Sequence, residues 1–192
     1  MNNSDCIVTE RLVLRRFAEG DEQAVFALMS DPYICEMAGI KTFESLDMTR
    51  KFMQAWRHGA YAITERGSDT VIGVIQVVCN WWEDRVELGY WLAEEYRGRG
   101  YMTEAVEAMK EYVFEEMFFD EIRIYVFSGN EASSKVALKC GFFPKYDAYK
   151  ENVYSPFGKV ESEECFTITR GDYEWERRGN SFYSTDSLRA AA

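Results

Sequence analysis

Between Val86 and Phe142 an apolar alternating run, a glycine-broken turn, a long amphipathic stretch and a second short apolar run follow one another, and this order leaves few folds open. Val86-Glu87-Leu88-Gly89-Tyr90-Trp91-Leu92 has the period of a strand. Met102, Ala105, Val106, Met109, Tyr112, Val113 and Met117 recur at helical spacing, with Glu107, Lys110, Glu111 and Glu115 expected to face away. Ile122 to Phe127 is β-branched and aromatic and reads as the next strand. A strand, a helix and a strand joined in this way form a parallel pair in a right-handed unit. The turn itself, Tyr96-Arg97-Gly98-Arg99-Gly100-Tyr101-Met102-Thr103, sets two glycines and two arginines where the helix begins. Exposed N–H groups and fixed positive charge at that point make a seat for a pyrophosphate.

The remaining elements lie on either side. Ile7 to Phe17 reads as one strand, and Asp21 caps a helix through about Met29 that Asp31-Pro32 ends. Ser45 or Asp47 caps a second helix that stops at Gly59. Ala60 to Glu65 and Val71 to Val78 form a hairpin, and the turn Trp81 to Arg85 leads into the strand described above. Asn130 opens a short helix closed by Gly141, and Tyr146 to Tyr154 and Glu163 to Ile168 read as strands across Ser155-Pro156-Phe157-Gly158. One domain over residues 1–175 is expected, followed by a flexible tail over 176–192.

Charge and residue usage exclude several functions. The balance of 22 basic against 33 acidic side chains, net −11, argues against nucleic-acid and anionic-membrane partners and mildly favours cationic ones. Five cysteines without a C-x-x-C pair read as reduced thiols in a cytoplasmic protein, and no apolar run is long enough to span a bilayer. His58 is the single histidine, so no metal site and no His-based triad is expected. Gly98-x-Gly100-x-x-Thr103 lacks the third small residue of a dinucleotide fingerprint, and there is no Gly-Lys-Ser/Thr of a P-loop.

Taken together the motifs resemble the GNAT superfamily of N-acetyltransferases, and within it the branch that acetylates ribosomal-protein N-termini at alanine or serine. The resemblance is carried by Thr9-Glu10-Arg11-Leu12-Val13-Leu14-Arg15, by Glu87-Leu88-Gly89-Tyr90-Trp91-Leu92, by Tyr96 through Ala105, and by Asn130-x-x-Ser133 with Gly141-Phe142. It implies an α+β (mixed α/β) fold: a mostly antiparallel central sheet, one parallel strand pair splayed around the cofactor, and flanking helices. It also implies acetyl-CoA as co-substrate, without a metal, and direct attack by a primary amine, either a protein N-terminal α-amine or a small cationic amine. A non-catalytic acyl-CoA-binding module of the same fold is the alternative. Monomer and homodimer are both compatible with the sequence.

On this resemblance the pyrophosphate lies on the N–H groups of Arg97, Gly98, Arg99, Gly100, Tyr101 and Met102, with Thr103 beside them. The family pattern is [Gln/Arg]-x-x-Gly-x-[Gly/Ala], and Met102 departs from it, so its side chain must either crowd the phosphates or turn away. The pantetheine arm would lie between Tyr90-Trp91-Leu92 and the Ile122–Phe127 strand, with Gly89 permitting a bulge and a backbone N–H near Trp91 or Leu92 polarising the thioester. Glu87 is the candidate base, against the reading of a solvated strand acid. Ser133 is the candidate donor to the leaving thiolate, and Asn130 would hold the pantetheine amides, although both residue types also cap helices. The acceptor is expected against the first two helices, Trp81-Trp82-Glu83-Asp84 and the last hairpin, near Glu161, Glu163 and Glu164.

Overall fold

The computed structural model describes residues 6–148, 150–154 and 160–179. The chain opens with β1 (Cys6–Val8), β2 (Leu12–Arg15), α1 (Glu22–Met29), α2 (Pro32–Ala38) and α3 (Leu46–Ala55). It continues through β3 (Ala60–Glu65), β4 (Val71–Asn80), β5 (Arg85–Leu92), a 3₁₀ turn (Glu94–Tyr96), α4 (Tyr101–Glu115) and β6 (Glu121–Phe127). Last come α5 (Glu131–Lys139), β7 (Phe143–Pro144), a second 3₁₀ turn (Tyr146–Ala148), β8 (Lys150–Tyr154), β9 (Val160–Thr169) and α6 (Arg170–Arg177). The strands form one sheet in the order β1-β2-β3-β4-β5-β6-β9-β7, with β8 also on β9. Every pairing is antiparallel except β5 with β6, which is the parallel pair the motif order requires.

Two cores fill the two faces of the sheet. Leu12, Ile63, Val86, Leu88 and Ile124 meet Met102, Val106, Met109 and Val113 of α4 on one side. On the other, Ala62, Val74 and Trp91 meet Val25, Leu28, Ile34 and Met53 from α1, α2 and α3. β5 therefore feeds both cores, as an inner strand covered on both faces should.

Several local expectations are corrected. The first strand is two, because the chain reverses between Val8 and Leu12 so that β1 pairs with β2, the Thr9 side chain bonding the Leu12 N–H and C=O. α2 was not expected: Asp31-Pro32 ends α1 and also begins a new helix, with the Asp31 carboxylate accepting from the Tyr33 and Ile34 N–H groups and proline in the first turn. Asp21 stands at the cap of α1 without capping it, since its buried carboxylate takes Arg15 at 2.7 and 2.9 Å and the Ala18 N–H at 2.8 Å. α6 was also unforeseen and carries a capping box between Thr169 and Asp172. Lys110, expected outside, is 4% exposed, with Nζ donating to the Cys140 carbonyl at 2.8 Å and paired with Glu107 and Glu176.

The bulge is on a different strand. The β4–β5 register runs unbroken from Gly73↔Leu92 to Asn80↔Arg85, so Gly89 makes no bulge against β4. The irregularity is in the β3–β4 ladder, where Ile63↔Gly73 is followed by Thr64↔Val71 and Ile72 is the extra residue. Gly73 is needed there because a Cβ would lie 2.7 Å from the Trp91 carbonyl oxygen. The Ser155–Gly158 turn and residues 180–192, most of the expected tail, lie outside the described residues.

Candidate active site

The turn before α4 is a run of unused donors. The Arg97 N–H is taken by the Glu94 carbonyl, and the first bond inside the helix is Glu104 N–H to the Gly100 carbonyl at 3.0 Å. Between them the N–H groups of Gly98, Arg99, Gly100, Tyr101, Met102 and Thr103 meet no acceptor among the described residues. Gly98 and Gly100 have φ of +73° and +79°, where only glycine is at ease, and among the described residues no atom beyond its chain neighbours lies within 4 Å of where a Cβ of Gly98 would stand. Successive N–H groups held in this way with the positive end of a helix behind them make an anion cradle.

The side chains leave the cradle open. Met102, 7% exposed, turns into the core between α4 and the sheet, so the departure from the family pattern costs no space. The Tyr101 hydroxyl donates to Glu65, and the Arg11 guanidinium lies 4.7 Å over its ring. Glu104 is an acid in the first turn, but Thr9 Oγ1 at 2.5 Å and Arg11 N and Nε at 2.8 and 2.6 Å all donate to its carboxylate. Burial pushes its pKa up, the bonds from Thr9 and Arg11 outweigh that, and the carboxyl is held below its ordinary range. The N-terminal Thr9–Arg15 motif and the turn motif are thus two halves of one contact, which explains why both accompany the cradle.

Next to the cradle the sheet opens. β5 and β6 pair only from Arg85↔Glu121 to Glu87↔Arg123, after which Leu88–Leu92 and Ile124–Phe127 run on without pairing to each other. The Ala93 N–H donates to Ile72, so alternation along the ladder sends the N–H groups of Leu88, Tyr90 and Leu92 toward the gap and that of Trp91 toward β4. Of the two positions offered for one backbone donor, Leu92 faces the gap and Trp91 faces β4. Trp91 packs its indole in the second core, 6.3 Å from Phe52, where its Nε1–H has no partner among the described residues.

α2 bridges the two arms of the gap, a role the sequence reading missed. On the β5 side Arg97 donates from Nε to the Leu92 carbonyl at 3.1 Å and lays its guanidinium 4.9 Å over the Tyr33 ring, while Arg99 lies 5.5 Å over Tyr96. On the β6 side a Cβ on Gly39 would come within 2.4 Å of the Phe127 ring, and Asn130 Nδ2 donates to the Met37 carbonyl at 3.4 Å. The signal that could have found α2 is Asp31-Pro32 itself, an N-cap followed by proline at the first helical position.

At the start of α5, Asn130 Oδ1 accepts the Ser133 N–H at 3.2 Å, so Asn130 caps the helix. Ser133 Oγ donates to the Tyr90 hydroxyl oxygen at 3.0 Å, and that hydroxyl donates to the Ser133 carbonyl at 3.2 Å. Tyr90 thereby spans from β5 to α5. Burial pushes its phenol far above the ordinary range, only partly offset by the Ser133 bond.

Glu87 is half-buried at the last paired position, across from Arg123. Arg123 Nε and Nη2 grip both oxygens of Glu121 at 2.9 Å, and Lys145 Nζ at 2.9 Å and Thr167 Oγ1 at 2.7 Å join the same carboxylate. Burial pushes Glu121 up, but these donors bring its pKa down to about 2. Trp81 and Trp82, expected beside the acceptor, stand on the β4–β5 turn at the opposite end of β5 from the cradle, 74% and 99% exposed, with Trp81 4.7 Å from Phe119. Glu83 there pairs with Arg85. Glu163 and Glu164 lie on β9, and the side chain of Glu161 is outside the described residues. No group of three or more His, Cys, Asp or Glu able to hold a metal occurs among the described residues, and no described helix is long and apolar enough to cross a membrane.

The acetyltransferase (GNAT) domain family matches residues 11–143. The sequence is 27% identical over 165 residues to the uncharacterized N-acetyltransferase YoaA of Bacillus subtilis, covering 77% of this chain and 93% of that one. Among solved structures, a GNAT-family acetyltransferase from Bacillus anthracis superposes with a TM-score of 0.79 at 24% identity, covering 86% of this chain and 99% of the other. The spermidine N-acetyltransferase of Vibrio cholerae, solved with CoA and spermine, gives a TM-score of 0.77 at 18% identity over 86% and 99% of the two chains. These structural likenesses are likenesses of fold.

Proposed function

Because the chain belongs to the GNAT acetyltransferase family, we propose that it moves an acetyl group from acetyl-CoA directly to a primary amine, with a protein N-terminal α-amine, as in the ribosomal-protein branch, favoured over a small cationic amine. The observation that carries this reading is the run of N–H groups from Gly98 to Thr103, unpaired among the described residues, beside the gap between β5 and β6. Together they offer a pyrophosphate seat continuous with a slot one strand wide, into which a pantetheine arm can be laid. The CoA and spermine bound to the Vibrio cholerae relative are in keeping with that donor and with an amine acceptor.

Bound acetyl-CoA would supply the acetyl group, with CoA leaving as a thiolate as the amine nitrogen bonds to the carbonyl carbon and the carbon–sulfur bond breaks. The chain supplies the rest. The N–H groups of Tyr90 and Leu92 point at the gap and are the donors available to the carbonyl oxygen as it gains charge. Glu87, where the strands part, takes the amine's proton directly or through water. An α-amine of pKa near 8 needs only about 1 kcal/mol to shed its proton at neutral pH, against roughly 4–5 kcal/mol for an alkylamine. One half-buried carboxylate meets the smaller demand more readily, and this favours the N-terminal substrate.

Acetyl-CoA at a hundred times its Kd should stabilise the protein by about 2.7 kcal/mol, a melting shift of roughly 5–10 °C. Thiol release on N-terminal peptides should exceed that on spermidine. A melting shift with NAD or ATP and none with acetyl-CoA would overturn the donor. A shift with acetyl-CoA but silence across both amine classes would favour the non-catalytic binding module.

A further inference from the structure

We infer that Tyr90 is a positioning residue for the leaving group, its hydroxyl acting through Ser133 as the second member of a two-hydroxyl chain that stabilises the departing thiolate. The inference rests on the reading that CoA occupies the β5–β6 gap. It starts from a pair of bonds that leave Ser133 spent: its hydroxyl proton is on the Tyr90 oxygen at 3.0 Å and its carbonyl holds the Tyr90 proton at 3.2 Å. For Ser133 to face a sulfur atom it must turn its proton away from Tyr90. The same 3.0 Å separation then serves in the reverse sense, with Tyr90 O–H donating to Ser133 Oγ. A hydroxyl that receives a hydrogen bond donates a stronger one, so the turned Tyr90 strengthens the bond to sulfur. Breaking the Tyr90 bond to the Ser133 carbonyl leaves no orphan, because that carbonyl lies in α5 and keeps its helical donor four residues on.

The chain donates hydrogen bonds and moves no proton. The pair of electrons from the carbon–sulfur bond goes to sulfur, the ammonium proton goes to Glu87 before attack, the second proton of the nitrogen passes to water as the amide forms, and Ser133 and Tyr90 keep theirs. A thiol has a pKa near 8.5, and neither a serine hydroxyl nor a phenol raised by burial is acidic enough to protonate its thiolate. The thiolate collects its proton from water after release. Cys140, whose thiol acts on Tyr90, is itself pushed well up by burial, and the charges around it, Lys110 with Glu107 and Glu176, are paired with one another.

The test reads the sulfur directly. CoA is bound to the full-length protein, and the ultraviolet absorbance of its thiolate is followed against pH, alongside the CoA-induced melting shift. In the wild type the bound thiol should titrate at least about one unit below 8.5, as a charge-assisted hydrogen bond implies. Ser133→Ala should remove that depression, and Tyr90→Phe should remove roughly half of it. Tyr90→Phe should also lower kcat and leave KM for acetyl-CoA unchanged, while Ser133→Ala with Tyr90→Phe should be no worse than Ser133→Ala alone. A ring-fluorinated tyrosine at position 90, equal in shape and more acidic, should deepen the depression and covers the case in which the phenylalanine variant folds poorly. A phenylalanine or fluorotyrosine variant that leaves the bound thiol at the wild-type value would overturn the role of Tyr90. A bound thiol unaffected by Ser133→Ala would remove the pair from the sulfur altogether. Absence of any CoA-induced melting shift in the wild type would instead defeat the proposed donor, and the inference with it.

Discussion

The two helices that start beside the open strands begin in opposite ways. α4 starts at Gly100 without a side-chain cap and with the N–H groups of Gly98–Thr103 unpaired among the described residues. α5 starts at Asn130, which caps it, holds Met37 of α2 through its other amide atom, and is followed by a serine bound to Tyr90. A helix start that supplies its own acceptor is fixed in place; one that does not can take an acceptor from outside. The α4 start is therefore expected to provide affinity for the donor and the α5 start to provide position, with Glu87 where the strands part between them.

The largest expected effect lies at Glu87. Glu87→Gln should lower kcat/KM by about 100- to 1,000-fold at neutral pH and leave the Kd for CoA unchanged. The loss should shrink as pH rises toward the amine's own pKa, because more of the amine is then already neutral. A pH–rate profile from thiol release measures both. A parallel loss of CoA affinity would assign Glu87 to the donor side and erase the division.

Gly100→Val comes next. At φ +79° a β-branched residue is strained, and its side chain would stand over the cradle within 3.4 Å of Arg11 Nη2 at the Cβ alone. The Kd for CoA by calorimetry should rise about 30- to 100-fold, a cost of the order of one charge-assisted hydrogen bond. An unchanged Kd would show that the unpaired N–H run is a bystander.

The same contrast separates what could be read in the sequence from what could not. The β5 strand, the glycine turn, α4 and β6 were legible because each depends on periodicity or on glycine within a few residues, and the parallel pair follows from their order. The capping of α5 by Asn130 was legible for the same local reason. Tyr90 with Ser133 was not, since the partners are 43 residues apart and neither is unusual in its own element. Lys110 sits at a helix position that counts as outward from within α4, and only α6 and the end of α5, which supply Glu176 and the Cys140 carbonyl, make it inward. The bulge was expected at Gly89 because glycine permits one, whereas Gly73 is glycine for a different reason, the approach of Trp91. Composition shows where the backbone is free to bend, and the neighbours decide where it does.

On the α5 side the effects should appear in stability. Asn130→Ala removes a cap and should cost about 1 kcal/mol, a melting decrease of roughly 2–4 °C, with the Kd for CoA changed by less than about threefold. Calorimetric melting with and without CoA gives both numbers. A drop in CoA affinity as large as that of Gly100→Val would mean that Asn130 binds the pantetheine arm as well as its helix, and the two starts would then differ in degree only.

The smallest effect concerns the root of β6, which leads into α5 and is held by Glu121. The folded carboxyl titrates at about 2 against an ordinary 4.5, so the native state binds this proton less readily than the unfolded chain does. Its contribution is therefore complete above about pH 4.5 and is lost as the pH falls toward 2. Urea titrations should show wild-type stability falling through that window more steeply than that of Glu121→Gln. The variant should be weaker at neutral pH, because Arg123 and Lys145 lose their anion, and the two proteins should converge near the acid end. CoA affinity should be untouched, since Glu121 stands at the paired end of β5 and β6 and the cradle at the open one. If the acid limbs run parallel, the Arg123–Glu121–Lys145 cluster is not what fixes β6, and the rigidity of the α5 start must come from α2 alone.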